Sequence, residues 1–323
     1  MENRRIFTKS NACDSMYSWI FPLLPEKVKA EIENADKSVL CGLSEIRLRA
    51  GGVSGVTSDG INYVFNLDGI SERITSPLLL CHGDIDDFIF KVCNGSVFSH
   101  ENTIAGGYVT VKVVRIGICG DAIVKNTEVS GFSRIQGVNI RLPRHIDGCA
   151  DSLIKQISLD GFNGIKGFLV ASAPGVGKTT VLRELAIKLS GGMRNMKEGS
   201  RMYRVSVIDE RCELYIPSLF SLSCADIYCG IPKHKGIEYA SRTMSPEVII
   251  FDEIGSEAEA KSVITAHFGG ISFISSVHAG SVETVRQKKM IKCLLDEGIF
   301  THIYFLERTE NGVKGTLHKV SEC

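Results

Sequence analysis

Nine consecutive residues, Ser172-Ala-Pro-Gly-Val-Gly-Lys-Thr-Thr180, combine small turn-formers with one lysine and three hydroxyls. The apolar run Gly167-Phe-Leu-Val-Ala171 precedes them, and a helical pattern ending near Ser190-Gly-Gly192 follows. Strand, glycine-rich turn and helix, in that order, make a phosphate-binding loop. Ala173, Pro174, Gly175, Val176 and Gly177 form the turn, and successive N–H groups around the two glycines wrap a β-phosphate. The helix N-terminus adds its partial positive charge. Lys178 reaches the β- and γ-phosphates, the Thr179 hydroxyl holds Mg²⁺, and Thr180 completes the set. The expected cofactors are therefore ATP and Mg²⁺. The motif departs from its pattern at its first position, where Ser172 replaces glycine; serine is small enough for the turn.

A phosphate loop with its metal needs acidic partners. Ile208-Asp209-Glu210 and Phe251-Asp252-Glu253 each end an apolar run, so each pair emerges at the carboxyl end of a buried strand. In open α/β sheets that edge binds ligands. Asp252 is the first choice for the metal, alongside Thr179, and Glu253 for polarising the attacking water. Asp209 and Glu210 compete for that second role. The alternative for either pair is a solvated carboxylate at a helix start, where acids are favoured in any case.

His278 closes the run Ser275-Ser-Val-His278, and a histidine at a strand end could sense a γ-phosphate by hydrogen bonding; a satisfied loop histidine is the competing reading. Arg211 and Arg242 lie next to the acidic runs and are candidates to stabilise transferred charge, within one subunit or across an interface.

The elements that must position these groups form two sets. From about residue 150, short apolar runs at 167–171, 204–208, 248–251 and 270–277 alternate with helical stretches, which implies a parallel sheet with helical crossovers. Residues 191–201 read as an exposed loop. Before residue 150 the pattern is mixed. Residues 16–35 suggest helical pieces broken at Pro22 and Pro25. Glu45-Ile-Arg-Leu-Arg49 and Tyr108–Val114 alternate with period 2, and 115–124 reads as further strand with glycines at bulges. The division expected is a mixed α/β domain over 1–148 and a phosphate-loop domain over 149–323.

Composition narrows the function. Thirty-seven basic residues balance 37 acidic ones over 323 residues, so a role in coating nucleic acid is disfavoured. No apolar run approaches the roughly 18 residues that would span a bilayer, and the start has no apolar core of a secretory signal. Eleven scattered cysteines with no CxxC fit reduced thiols in a cytoplasmic protein. Cys224-x4-Cys229-x4-His234 is an incomplete metal set, and Gln287-Lys-Lys289 reads as a solvated basic face.

Several of these segments together resemble one family. Arg242-Thr-Met-Ser-Pro-Glu-Val-Ile-Ile-Phe-Asp-Glu-Ile-Gly255, Cys229-Gly-Ile-Pro-Lys-His-Lys-Gly236, Asp209-Glu-Arg-Cys-Glu213, Glu45-Ile-Arg-Leu-Arg-Ala-Gly51 and Arg115-Ile-Gly-Ile-Cys-Gly120 stand in the order found in the stage III sporulation protein AA family. That family is similar to the traffic ATPases of type II and type IV secretion. The resemblance implies a RecA-like ATPase domain behind a mixed α/β N-terminal domain, assembled as a hexameric ring. It implies docking on membrane-embedded channel proteins, on the mother-cell side in the cytoplasm, with the chain itself carrying no integral membrane segment. It makes 172–180 the phosphate loop, 208–213 an acidic box, 248–253 the second acidic strand and 275–280 a histidine box. Cys212 stands where the family's acidic box commonly has serine. Ring geometry would also let Glu45, Arg47, Arg49, Arg141 and Arg144 meet a neighbour's nucleotide; a solvated strand face with surface ion pairs is the alternative. Two other functions compete with a hydrolytic motor: a nucleic-acid-handling ATPase, and a nucleotide-dependent scaffold with little turnover.

Overall fold

A computed structural model describes residues 19–111, 114–143, 145–160, 167–191, 201–309 and 312–320. Arg144, most of the loop read at 191–201, and the first residues of the stretch 16–35 lie outside the described residues. The chain divides into two compact units, residues 1–144 and 145–323.

In the first unit, prolines shape the start. Pro22 sits in a 3-10 turn at Phe21–Leu23, and Pro25 caps helix α1 (Glu26–Glu33), which buries Val28 and Ile32. After α2 (Lys37–Cys41) come β1 (Leu43–Arg49), β2 (Gly55–Ser58), β3 (Ile61–Asn66) and β4 (Gly69–Ser71). Helices α3 (His82–Val92) and α4 (Glu101–Ala105) precede β5 (Tyr108–Val111), β6 (Val114–Lys125) and β7 (Glu128–Arg141). The seven strands form one antiparallel sheet in the order β4-β3-β2-β1-β7-β6-β5. Its inner face carries Ile46, Leu48, Val138 and Ile140, and α3 contributes Ile85, Phe88 and Ile89 to the same unit's core.

One expected strand is two. Val111 pairs with Val114 in an antiparallel register, so the alternation read over 108–114 crosses from β5 into β6. Period-2 alternation survives a tight reversal, which is why the pattern did not show it. The glycine reading downstream holds at one position: register shifts at Cys119/Gly120, where a Cβ on Gly120 would lie 2.1 Å from the Arg134 carbonyl oxygen. The charged face of β1 is occupied within its own sheet. Glu45 pairs with Arg47 at 2.6 Å and Arg141 at 4.0 Å, and Arg49 donates to the carbonyls of Leu48 and Val138.

The second unit contains α5 (Asp151–Asp160), β8 (Gly167–Ser172), α6 (Lys178–Leu189), β9 (Val205–Asp209), α7 (Pro217–Phe220), β10 (Asp226–Cys229), α8 (Lys233–Thr243) and β11 (Val248–Phe251). Then follow α9 (Glu257–Phe268), β12 (Ser272–His278), α10 (Val282–Gln287), α11 (Lys289–Asp296), β13 (His302–Thr309) and β14 (Gly312–Lys319). The sheet order is β10-β9-β11-β12-β8-β13-β14, parallel except for the last pair.

Alternate residues of each central strand enter different cores. Phe168, Val170, Val207 and Ile250 pack with Leu182 and Leu185 of α6 on one face. Leu169, Ala171, Ile249, Phe251 and Phe273 pack with Ile237 of α8 and Val263 of α9 on the other. Coverage of both faces is what turns these strands into continuous apolar runs. Register aligns their carboxyl ends: His278 pairs with Ser172 and Phe251 with Ile208. The residues just beyond β8, β9, β11 and β12 therefore share one sheet edge.

Candidate nucleotide site

The chain turns from β8 into α6 through residues 173–177. Gly175 (φ +73°) and Gly177 (φ +120°) lie in the left-handed region with open space where a Cβ would sit, so backbone conformation selects glycine there. Gly177 caps α6 without a side-chain bond, leaving the first-turn N–H groups available to an anion.

Lys178, the first residue of α6, is only 6% exposed. Its Nζ donates to the Ser172 carbonyl (3.3 Å), the Ser172 Oγ (3.2 Å) and the Ala173 carbonyl (3.3 Å), and lies 2.8 Å from His278 Nδ1. Burial pulls this ammonium below the ordinary lysine range, and the Asp252 and Glu253 carboxylates oppose the shift. Ser172 is fully buried; its hydroxyl donates to the Ala173 carbonyl at 2.7 Å while accepting from Lys178. The departure from glycine thus supplies an extra acceptor for the lysine.

Asp252 follows β11 and meets α6. Thr179 Oγ1 donates to its Oδ2 at 3.2 Å, while its Oδ1 accepts from the Ser276 hydroxyl and from the Glu253 N–H. Ser276, inside β12, was missed by sequence reasoning, because only the β11–β12 pairing brings it to the carboxylate. A hydroxyl and a carboxylate held together are the hard oxygen donors that suit Mg²⁺. Glu253 Oε2 lies 3.6 Å from His278 Nε2. An ammonium only donates, so His278 Nδ1 faces Lys178 as an acceptor and Nε2 carries the proton toward Glu253.

The two carboxylates of the first acidic pair part ways. Asp209 ends β9 with 2% exposure, and its carboxylate accepts the N–H groups of Glu213 (2.9 Å), Leu214 (2.9 Å) and Tyr215 (2.7 Å). Burial pushes its carboxyl above the ordinary range, and those three hydrogen bonds hold it back. From α6, buried Arg183 donates to the Glu213 and Leu214 carbonyls of the same loop. The Asp209 carboxylate thus holds the loop 213–215 in place, with Cys229 Sγ of β10 also on its Oδ2. Glu210, one residue on, is exposed and lies 3.7 Å from Lys233 Nζ. Lys233 was also missed; nothing in its local sequence announces a buried cation. Asp209→Asn places an amide against at least one backbone N–H and should cost about 2–4 kcal/mol. Thermal unfolding should show a Tm lower by about 5–15 °C; an unchanged Tm would remove the loop-holding role.

The arginines are less committed. Arg211 is exposed in the turn after β9, and Arg242 pairs with Glu238 on its own helix at 2.9 Å. Among the described residues no hydrogen bond or ion pair joins either to the phosphate loop.

Comparison with known proteins gives this geometry a setting. The family model described as "Sporulation stage III, protein AA" matches residues 18–321. Stage III sporulation protein AA of Bacillus subtilis (strain 168) is 28% identical over 307 residues, covering 93% of this chain and 94% of the relative. Among solved structures, the ATPase DotB of Legionella pneumophila matches with a TM-score of 0.57 at 14% identity, over 91% of this chain and 79% of that one. The pilus retraction motor PilT with bound ADP matches with a TM-score of 0.58 at 16% identity, over 90% and 81%. At these identities the likeness is one of fold: the second unit is a RecA-like domain behind a mixed α/β unit.

Proposed function

The chain belongs to the Sporulation stage III, protein AA family, and from that premise we propose that it is a Mg²⁺-dependent ATPase of the secretion-motor type. One observation carries the reading: Lys178, Thr179, Asp252, Glu253 and His278, drawn from two strand ends and a helix N-terminus, converge on one phosphate loop. Residues 172–180 take the triphosphate, with Lys178 leaving its resting acceptors for the β- and γ-phosphates. Thr179 and Asp252 hold Mg²⁺, which when bound neutralises charge developing on the phosphates. Glu253 orients the attacking water. His278 lies between that glutamate and Lys178, so departure of the lysine frees its Nδ1 acceptor and couples phosphate occupancy to the position of Glu253. Glu210 is the second candidate for the water. Arg211 and Arg242 remain candidates for transferred charge supplied across a subunit boundary.

DotB and PilT are described as an ATPase and a pilus motor, and their likeness in fold supports a working oligomer, for which we propose a hexameric ring. Among the described residues no helix is long and apolar enough to cross a membrane. That fits a chain docking from the cytoplasm, on the mother-cell side, onto membrane-embedded channel proteins. The test is phosphate release from MgATP across a protein concentration series, with oligomeric state followed by light scattering. Specific activity should rise as the ring assembles. Nucleotide binding without turnover at every concentration would favour the scaffold reading, and tight, salt-sensitive binding of single-stranded DNA the nucleic-acid one.

A further inference from the structure

We infer that Lys233 is a positioning residue that locks together the two acidic strand ends of the nucleotide site; this rests on the hydrolytic reading of that site. Lys233 opens α8 directly after Pro232, with its side chain 9% exposed. Its Nζ donates to the main-chain carbonyl of Glu253 and lies 3.7 Å from Glu210 Oε2 and 3.5 Å from Glu259 Oε2. A buried ammonium is costly in itself, and at a helix N-terminus it also opposes the helix dipole. The three oxygens compensate for both penalties, and they come from three segments: the turn after β9, the turn after β11, and α9.

The consequence is geometric. Glu259 also accepts the Gly255 N–H at 2.8 Å, so residues 253 and 255 are both tethered to one ion pair. Glu253 leaves this clamped backbone toward His278. Glu210 is drawn toward the same cation from the neighbouring strand, whose Ile208 pairs with Phe251. The hydrogen bond and ion pairs of Lys233 reach Glu253, Glu210 and Glu259 rather than the phosphate loop, so its effect passes through the carboxylates that it holds. An ion pair serving stability alone would shift folding without separating nucleotide affinity from turnover; a positioning residue separates them.

The experiment measures binding of a fluorescent ATP analogue and steady-state turnover for full-length Lys233→Met and Lys233→Arg. Lys233→Met is expected to bind within about threefold of wild type while kcat falls about 10- to 100-fold, the range typical of residues that orient a reacting group. Lys233→Arg, which keeps the charge and its donors, should recover most of that loss. A kcat for Lys233→Met within about twofold of wild type, or a parallel loss of affinity and rate that arginine does not relieve, would overturn the inference while leaving the hydrolytic reading intact. Should Lys233→Met fail to fold by circular dichroism, Lys233→Gln, which keeps a donor for the Glu253 carbonyl, is held to the same two criteria. A wild-type chain without turnover would bring down the hydrolytic reading and this inference together.

Discussion

Lys178→Ala should leave a folded chain with no measurable ATP turnover. The substitution removes the one cation of the phosphate loop, and a preorganised group that stabilises transition-state charge is worth about 10²–10³ in rate. Lys178 also bridges the loop to His278, so its loss disconnects the phosphates from Glu253. The structural cost is smaller. The carbonyls of Ser172 and Ala173 lose a donor, but Ser172 Oγ still donates to Ala173 and Ala279 N–H still donates to Ser172. A penalty of about 1–3 kcal/mol is expected, within what a unit of this size tolerates. Circular dichroism and thermal unfolding should confirm the fold while phosphate release falls to background; undiminished release would place hydrolysis elsewhere.

Glu253→Gln should separate binding from chemistry. Asp252 keeps its bonds to Thr179 and Ser276, and the phosphate loop is untouched, so MgATP should bind nearly as in wild type. Without a carboxylate to orient and deprotonate water, kcat should fall by about 10²–10⁴. Glu210→Gln should fall less, because Glu210 faces Lys233 and the described contacts give it no link to His278. The reverse ranking, with Glu210→Gln the slower variant, would exchange the two roles.

What the residues alone revealed depended on how local each signal was. The turn between β8 and α6 was legible because strand, turn and helix are contiguous, and the parallel sheet because strands buried on both faces leave continuous apolar runs. The pairing of Asp252 with Thr179 followed from chemistry and is present as a hydrogen bond. Asp209 and Glu210 could not be separated in sequence. They are neighbours at the end of β9, and only the folded loop shows one carboxylate turned inward onto three N–H groups and the other facing outward. Strand β10 is short, half-buried and at the sheet edge, so it lacks the apolar run that marked its neighbours. Ser276 and Lys233 acquire their roles only through tertiary contact, which spacing does not encode. The charges of β1 also needed the fold: Arg47 and Arg141 face Glu45, and Arg49 faces backbone carbonyls, contacts that the alternation alone does not specify.

This loop, with Thr179 and Asp252 holding Mg²⁺, is expected to hydrolyse ATP. Steady-state phosphate release by the wild-type chain, titrated with Mg²⁺ and then with a chelator, tests it most directly. Turnover should appear with Mg²⁺, vanish with the chelator and be absent from Lys178→Ala. Release that ignores Mg²⁺, or that wild type and Lys178→Ala share equally, would contradict it.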